Sequence, residues 1–374
     1  MIQNIKFRRF KAFRDAELPL KALNLLAGIN GSGKSTCLHV LLLLRQSHLE
    51  RTLSDKGMLL RGALLNLGKG ADVYHNFSSE EVIDIEIAYD DGLSIGWSFN
   101  VDMDSDLLSI ATAPTADVLE AAGKRAPFNQ CVWYLGAERI APDTSYDLLY
   151  HPAGIAGPLG QRGEFAVDFL AKHKNASIAH PSRRHPSQDE RVLDLLSSTR
   201  AWLREVSPGI SLDVERFSGL DRVGLTYEYI AGTQSFSHRL RPTNVGFGIT
   251  YVLPIIVALL AAKAGDLLLL ENPESHVHPQ GQLQLGILTA LAAASGLQVI
   301  VETHSDHFLN GIRVAAKRGW IKPDEATINF FERDSEDPDH ATEIFSPKLD
   351  SDGKLSRWPK GFFDQWEAAM FELL

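Results

Sequence analysis

Three short stretches of this chain carry residue types that act on phosphates and metal ions. The first, Gly28-Ile29-Asn30-Gly31-Ser32-Gly33-Lys34-Ser35, sets glycines, a lysine and a hydroxyl in phosphate-loop order. Its glycines permit turns that a side chain would obstruct, so the backbone N–H groups of Asn30, Gly31, Ser32, Gly33, Lys34, Ser35 and Thr36 can converge on an anion from a helix N-terminus. Lys34 is then placed to neutralise β- and γ-phosphates, and the Ser35 hydroxyl to hold Mg²⁺. The second stretch is an apolar run, Leu267 to Leu270, ending in Glu271-Asn272-Pro273-Glu274. In phosphate-loop ATPases such a strand delivers a carboxylate to Mg²⁺, and the next residue is commonly a glutamate that polarises the attacking water. Glu271 can serve the metal. Asn272 can orient a water but cannot take its proton, which predicts slow turnover, with Glu274 as a second carboxylate beyond Pro273.

The third stretch, Val299 to Glu302 followed by Thr303-His304-Ser305-Asp306, puts an imidazole where a parallel strand ends. Ligands bind at such ends in open α/β sheets, so His304 is a candidate for the γ-phosphate or the attacking water, with a structural role as the plainer reading. His276, His278, His304 and His307 lack the thiolates or the helical His spacing of a zinc site. No Asn-Lys-x-Asp motif for guanine occurs, which favours ATP over GTP.

Stepping outward, Lys21 to Ala27 reads as a buried strand before the phosphate loop and Thr36 to Arg45 as the helix after it. The start, with Ile2, Ile5, Phe7 and Phe10 among Lys6, Arg8, Arg9, Lys11 and Arg14, reads as a half-buried strand and turn. Val82 to Tyr89 and Leu93 to Val101, joined at Asp90-Asp91-Gly92, predict a hairpin, and Gln130 to Leu135 a further strand. These predict an antiparallel lobe around the phosphate-loop strand. Ala171 to Arg191 is polar and basic and predicts a loop or mobile insertion, followed by a helix over Gln188 to Val206 and strands near Ile210 to Phe217 and Gly224 to Ile230. From Asn244 on, helices alternate with short apolar strands, as in a parallel sheet covered on both faces. No sustained heptad pattern predicts a long coiled coil.

At 374 residues and a formal net charge of −10, the chain is of ordinary globular composition, which excludes a wholly basic nucleic-acid coat but not a local basic groove. Cys37 and Cys131 are the only cysteines, no secretory start is present, and the apolar stretch Tyr251 to Ala262 is short and holds Pro254. The expectation is a reduced, cytoplasmic protein with no membrane association.

The order of phosphate loop, Asn244-Val245-Gly246-Phe247-Gly248, Glu271 to Pro279 and Glu302 to Asp306 resembles the ABC-class ATPases of the RecF, SMC and overcoming-lysogenization-defect (OLD) group, found as ATPase subunits in bacterial antiphage systems. The basic first strand and Tyr134-Leu135-Gly136-Ala137-Glu138-Arg139 fit as well. The resemblance implies an α/β ABC-type ATPase head with a mixed or antiparallel N-terminal lobe, a parallel-sheet core, a helical insertion and no long coiled coil. One domain over 1–374 is expected, built from lobes 1–165 and 206–374 with 166–205 as the insertion.

The likeness assigns Lys34 and Ser35 to phosphate and Mg²⁺, Glu271 to the metal-binding acid, Asn272 to the catalytic-glutamate position and His304 to the switch histidine. Asn244, Gly246 and Gly248 stand in for the signature loop that reaches across an ATP-bound dimer, although Leu-Ser-Gly-Gly itself is absent. His75 and Asn76 are the candidates for the loop linking metal to the adjoining lobe.

What the likeness implies is a slow ATPase that forms a homodimer or higher oligomer through ATP and regulates an effector, a nuclease. About 70 residues follow His304, too few for a typical nuclease domain, so that effector is expected on another chain. Two alternatives stay open: a non-hydrolysing ATP-dependent scaffold or sensor, and a RecF-like DNA-repair ATPase. DNA contact through the basic start or the Lys172 to Arg191 loop, including Arg183 and Arg184, stands beside a solvated-loop reading. The aromatic stretch Trp358 to Trp366 reads as a partner dock or a packed tail.

Overall fold

A computed structural model describes every residue except 76, 77, 79, 151–153, 218, 232, 233, 236, 237, 334–340, 359–369, 371 and 374. Asn76 and most of Trp358 to Trp366 lie outside the described residues. The chain forms two compact units: Met1–Val132 with Pro323–Asp350 and Lys354–Leu374, and Trp133–Lys322 with Ser351–Gly353.

The first unit opens with strands β1 (Ile2–Phe10), β2 (Phe13–Pro19) and β3 (Leu23–Gly28), helix α1 (Lys34–Leu49), strand β4 (Gly57–Leu59) and helix α2 (Gly70–Val73). Strands β5 (Val82–Tyr89), β6 (Ser94–Asn100) and β7 (Leu107–Thr112) and helix α3 (Ala116–Gly123) follow. Alternation drives the sheet: Ile5 and Phe7 of β1 and Ile83, Ile85 and Ile87 of β5 are buried while their neighbours face outward. The sheet runs β2-β1-β5-β6-β7-β4 with every pair antiparallel. Strand β3 is not part of it. Its residues Leu23 to Ala27 are wholly buried, the mark of a strand covered on both faces.

The second unit begins within β8 (Val132–Leu135) and continues through β9 (Tyr146–Asp147), α4 (Ala166–His173), a short 3₁₀ turn at Pro181–Arg183 and α5 (Leu195–Val206). Strands β10 (Ile210–Phe217), β11 (Arg222–Ala231) and β12 (Gln234–Ser235) form an antiparallel sheet that β9 joins. Then come α6 (Phe247–Ala261), β13 (Leu267–Glu271), α7 (Pro279–Ala294), β14 (Gln298–Glu302) and α8 (Asp306–Lys317). Strands β13 and β14 are parallel, with Glu271 opposite Glu302, and β8 lies beside β13. Thus the run expected at Gln130 to Leu135 belongs with the buried acidic strand, outside the antiparallel lobe. Pro254 sits inside α6, whose residues from Ile249 to Leu260 are all buried.

The chain returns to the first unit with β15 (Ala326–Arg333) and β16 (Thr342–Phe345). β15 pairs in parallel with β3 and antiparallel with β16, so the phosphate-loop strand is flanked by the end of the chain.

The polar segment, expected as a loop or mobile insertion, is a loop between two helices, its side chains largely paired. Helix α4 runs to His173, and α5 starts only at Leu195, where the Asp194 carboxylate accepts the Ser197 N–H at 2.8 Å. Arg183 has no exposed surface. Its guanidinium donates to Ser295 Oγ at 2.7 Å, Leu259 O at 3.0 Å and Ala262 O, closing the carboxyl ends of α6 and α7. Burial lowers its pKa to about 10, so it stays charged at neutral pH. Arg184 donates to Gln188 O and His185 meets Glu205 at 3.1 Å. At the start of the chain Lys6 faces Glu17, Arg8 faces Asp15, and Arg9 pairs with Glu80 and Asp84. The sequence clusters positive charge in both places; the fold buries Arg183, while Lys6 and Arg8 stay in exposed pairs.

Candidate functional site

In the first unit β3 ends in the phosphate loop. Gly31 and Gly33 have φ of 77° and 92°, and Gly33 caps α1 in the left-handed region with no side chain over the helix end. A Cβ on Gly33 would lie 2.8 Å from the Phe13 ring, which meets Phe7 edge-on at 4.9 Å and Phe331 at 6.1 Å. The aromatic turn after β1 therefore presses against the loop, and only glycine fits both the conformation and the gap. Lys34 is buried, and its ammonium donates to Gly28 O at 2.9 Å and Ile29 O at 2.7 Å, curled over the loop. Backbone amides at an uncapped N-terminus of 16 residues and a lysine folded over them fit a nucleotide phosphate in donor set and shape.

Below the loop, Lys11 Nζ lies 3.4 Å from His39 Nδ1. Burial, and then the Lys11 charge, lower His39 to about 4, so this ring is neutral at pH 7. His75 Nδ1 contacts Lys11 O at 2.8 Å, which ties one of the two expected linking-loop residues to the turn beside the phosphate loop.

In the second unit the acidic strand ends in a dense network. Glu271 receives one donor on each oxygen: the Tyr134 hydroxyl at 2.9 Å and the Ala137 N–H at 3.2 Å. Burial raises its pKa, while these two donors and the Arg139 charge oppose the rise. Arg139 is 2% exposed and donates to Gly136 O at 2.9 Å, Glu271 O at 2.6 Å and Asn272 O at 2.5 Å. Its guanidinium also lies 4.3 Å from the Tyr251 ring centroid, and the Tyr251 hydroxyl donates to Ala137 O.

Asn272 adopts φ 45°, the left-handed region that asparagine tolerates better than glutamate. Its N–H donates to Glu302 O at 2.9 Å, and its Oδ1 is buried without a hydrogen-bond partner among the described residues. The strand end thus turns at the residue after Glu271, and asparagine suits that turn. Two positions on, the Glu274 carboxylate accepts the Thr303 hydroxyl at 2.8 Å and the His304 N–H at 2.6 Å. The His304 side chain lies at the surface.

The signature-like loop carries a 3₁₀ turn at Pro242–Asn244, and Gly246 caps α6. Gly248 is required by its neighbour: a Cβ there would lie 2.0 Å from His276 O. The His276 ring meets Phe247 at 4.7 Å and Tyr251 at 5.1 Å, and His278 Nδ1 accepts the Gln280 N–H to cap α7. These two histidines serve helix starts and stacking.

The phosphate-loop residues Asn30 to Thr36 thus cluster in the first unit. Glu271, Asn272, Glu274 and His304 are linked in the second, with Gly248 joined to the same turn through His276. Sequence reasoning gave no role to Tyr134, Ala137, Arg139 or Thr303. The sequence carried only a weak signal there, the Glu138-Arg139 pair directly after the apolar run Val132 to Leu135; a buried guanidinium must find acceptors, but which ones is not local.

Comparison with known proteins bears on the family and the fold. A profile described as "AAA ATPase domain" matches residues 1–205, more than half of the chain. One described as "AAA domain, putative AbiEii toxin, Type IV TA system" matches 157–310, and "Protein of unknown function (DUF3696)" matches 321–373. The chain is 23% identical over 361 residues to an OLD nuclease of Thermus scotoductus, covering 85% of this chain and 61% of that protein. It therefore spans about three-fifths of that relative's length. Among solved structures, an SMC head bound to the C-terminal winged-helix domain of ScpA superimposes with a TM-score of 0.51 at 14% identity, covering 93% of this chain and 98% of the other. No helix among the described residues is long and apolar enough to cross a membrane. The chain belongs to the AAA ATPase domain family, with a fold like that of an SMC head and a distant sequence likeness to an OLD nuclease.

Proposed function

We propose that this protein binds Mg²⁺ and ATP, dimerises around the nucleotide, hydrolyses it slowly, and by that cycle regulates a nuclease effector on another chain in antiphage defence. The observation that carries the slow cycle is Asn272: the residue after the metal acid has no carboxylate and occupies a left-handed turn. Lys34 and the amides of Asn30 to Thr36 hold the phosphates, and Ser35 and Glu271 hold the metal. A bound Mg²⁺ would supply charge neutralisation to the phosphates there. Asn272 orients water through its amide, and His304 contacts the γ-phosphate. Asn244, Gly246 and Gly248 present the start of α6 to the second subunit's nucleotide.

The nuclease part of the reading rests on the OLD nuclease relative, and the defence part on that relative and the toxin-system profile. The burial of Arg183 and the pairing of Arg9 with Glu80 and Asp84 weaken the DNA-repair alternative. Steady-state phosphate release, compared with Lys34→Ala, tests the enzyme. Slow release that the substitution abolishes supports the switch, whereas equal rates leave a nucleotide-bound scaffold. Co-purification from the native host, with and without Lys34→Ala, tests whether an effector joins in a nucleotide-dependent way.

A further inference from the structure

We propose that Glu274 is a positioning residue that fixes the turn carrying His304, and is not a substitute for the missing base; this rests on the reading above in which His304 takes part in slow hydrolysis. Both of its oxygens are committed, one to the Thr303 hydroxyl at 2.8 Å and the other to the His304 N–H at 2.6 Å. Taking a proton from water would weaken two charge-assisted hydrogen bonds at once, which makes this carboxylate a poor base.

The same bonds make it a good brace. Strands β13 and β14 are in register through Glu271 and Glu302, so the turns that follow them emerge side by side. Glu274 ties the first turn to the second, and Gln282 of α7 ties them again. Its amide donates to Val277 O at 2.7 Å, while its Oε1 accepts the Ser305 hydroxyl at 2.5 Å. Ser305 Oγ also accepts the Phe308 N–H at 2.9 Å, capping α8, and the Ser305 N–H donates to Thr303 Oγ1 at 3.1 Å. Thr303 has no exposed surface. His304 is thus an exposed ring on a backbone fixed from both sides, the arrangement that positioning requires.

The test is a double-substitution cycle on the full chain, using steady-state hydrolysis of Mg²⁺-ATP and equilibrium binding of a fluorescent ATP analogue. Glu274→Ala and His304→Ala should each lower kcat about ten-fold with KM and nucleotide affinity within about two-fold. The double variant should be no slower than His304→Ala, because both act through one ring. Glu274→Gln keeps one acceptor and should recover most of the loss. Losses that multiply in the double variant, or a Glu274→Gln as slow as Glu274→Ala, overturn the proposal. If wild type and Lys34→Ala hydrolyse alike, it is the enzyme reading that has failed. The His304 imidazole NMR resonance then decides the brace: Glu274→Ala should shift or broaden it, and an unmoved signal overturns the proposal.

Discussion

The phosphate loop and the acidic strand end each hold a turn in place, by opposite means. The loop uses backbone. Gly31 and Gly33 take positive φ, α1 offers its amides, and Phe13 fills the space a side chain would need. The acidic end uses side chains from distant parts of the chain. Arg139 grips the carbonyls of Glu271 and Asn272, Tyr134 holds the Glu271 carboxylate, and Glu274 holds the next turn. A backbone device fails at one residue by strain and clash. A side-chain network fails by leaving buried partners unsatisfied.

The largest expected effect is on the loop. Gly33→Ala places a methyl 2.8 Å from the Phe13 ring at φ 92°. Strain and overpacking together should cost about 3 kcal/mol, read as a fall in thermal midpoint, and weaken ATP binding at least about 100-fold. Wild-type affinity would mean that the loop yields, and that the backbone half is less rigid than the contrast requires.

Arg139→Leu is the matching break on the other side. It strips charge-assisted donors from the carbonyls of Gly136, Glu271 and Asn272 and should destabilise by about 2–3 kcal/mol. With the phosphates held by the loop as proposed, ATP affinity should change less than about three-fold while turnover falls more steeply. An equal loss of affinity and turnover would erase the distinction between the two halves.

How much could be read beforehand follows the same line. Glycine and lysine spacing near Gly28 reports local backbone geometry, so strand, loop and helix were legible there. So were the Val82 and Ser94 strands, whose alternation and Asp90-Asp91-Gly92 turn are local. The acidic motif was legible as a strand end, but its grip was not: Arg139 and Glu271 meet across 132 residues of chain, which no spacing rule reports. Arg183 misled for the same reason. A basic, proline-bearing stretch looks solvated until the α6 and α7 carbonyls that accept from it are known. The parallel pairing of β3 with β15 was likewise hidden, because its partner arrives from the end of the chain.

A titration sharpens the description of the loop's support. His39 has a folded pKa near 4 against an ordinary 6.5, so between those values the unfolded chain binds a proton that the folded chain refuses. The contribution is whole above about pH 6.5, falls as pH drops, and is lost by about pH 4. It should amount to about 2 kcal/mol, visible as a falling urea midpoint between pH 7 and 4.5. His39→Gln should flatten that slope. Lys11→Met should move its midpoint upward, because the Lys11 charge is the second cause of the depression. An unchanged slope in His39→Gln would assign the pH dependence elsewhere.

The smallest effect sets chemistry against backbone geometry at one residue. Asn272→Glu supplies the carboxylate that phosphate-loop ATPases commonly carry at this position, and a well-placed base is worth about 10²–10⁴ in rate. Here it must enter a position at φ 45° that costs glutamate about 1 kcal/mol, and it must replace an Oδ1 that is already buried. The net expectation is a rise in kcat of about ten-fold with little change in KM, accompanied by a small drop in thermal midpoint. A rise near 10³ would mean that the turn relaxes freely around glutamate. No rise, with Glu271→Gln equally silent in Mg²⁺-dependent binding, would place this strand end away from the γ-phosphate altogether. The ten-fold outcome would instead show that the slow cycle is built into the backbone: asparagine sits there because the turn favours it, and the sluggish chemistry follows from the turn.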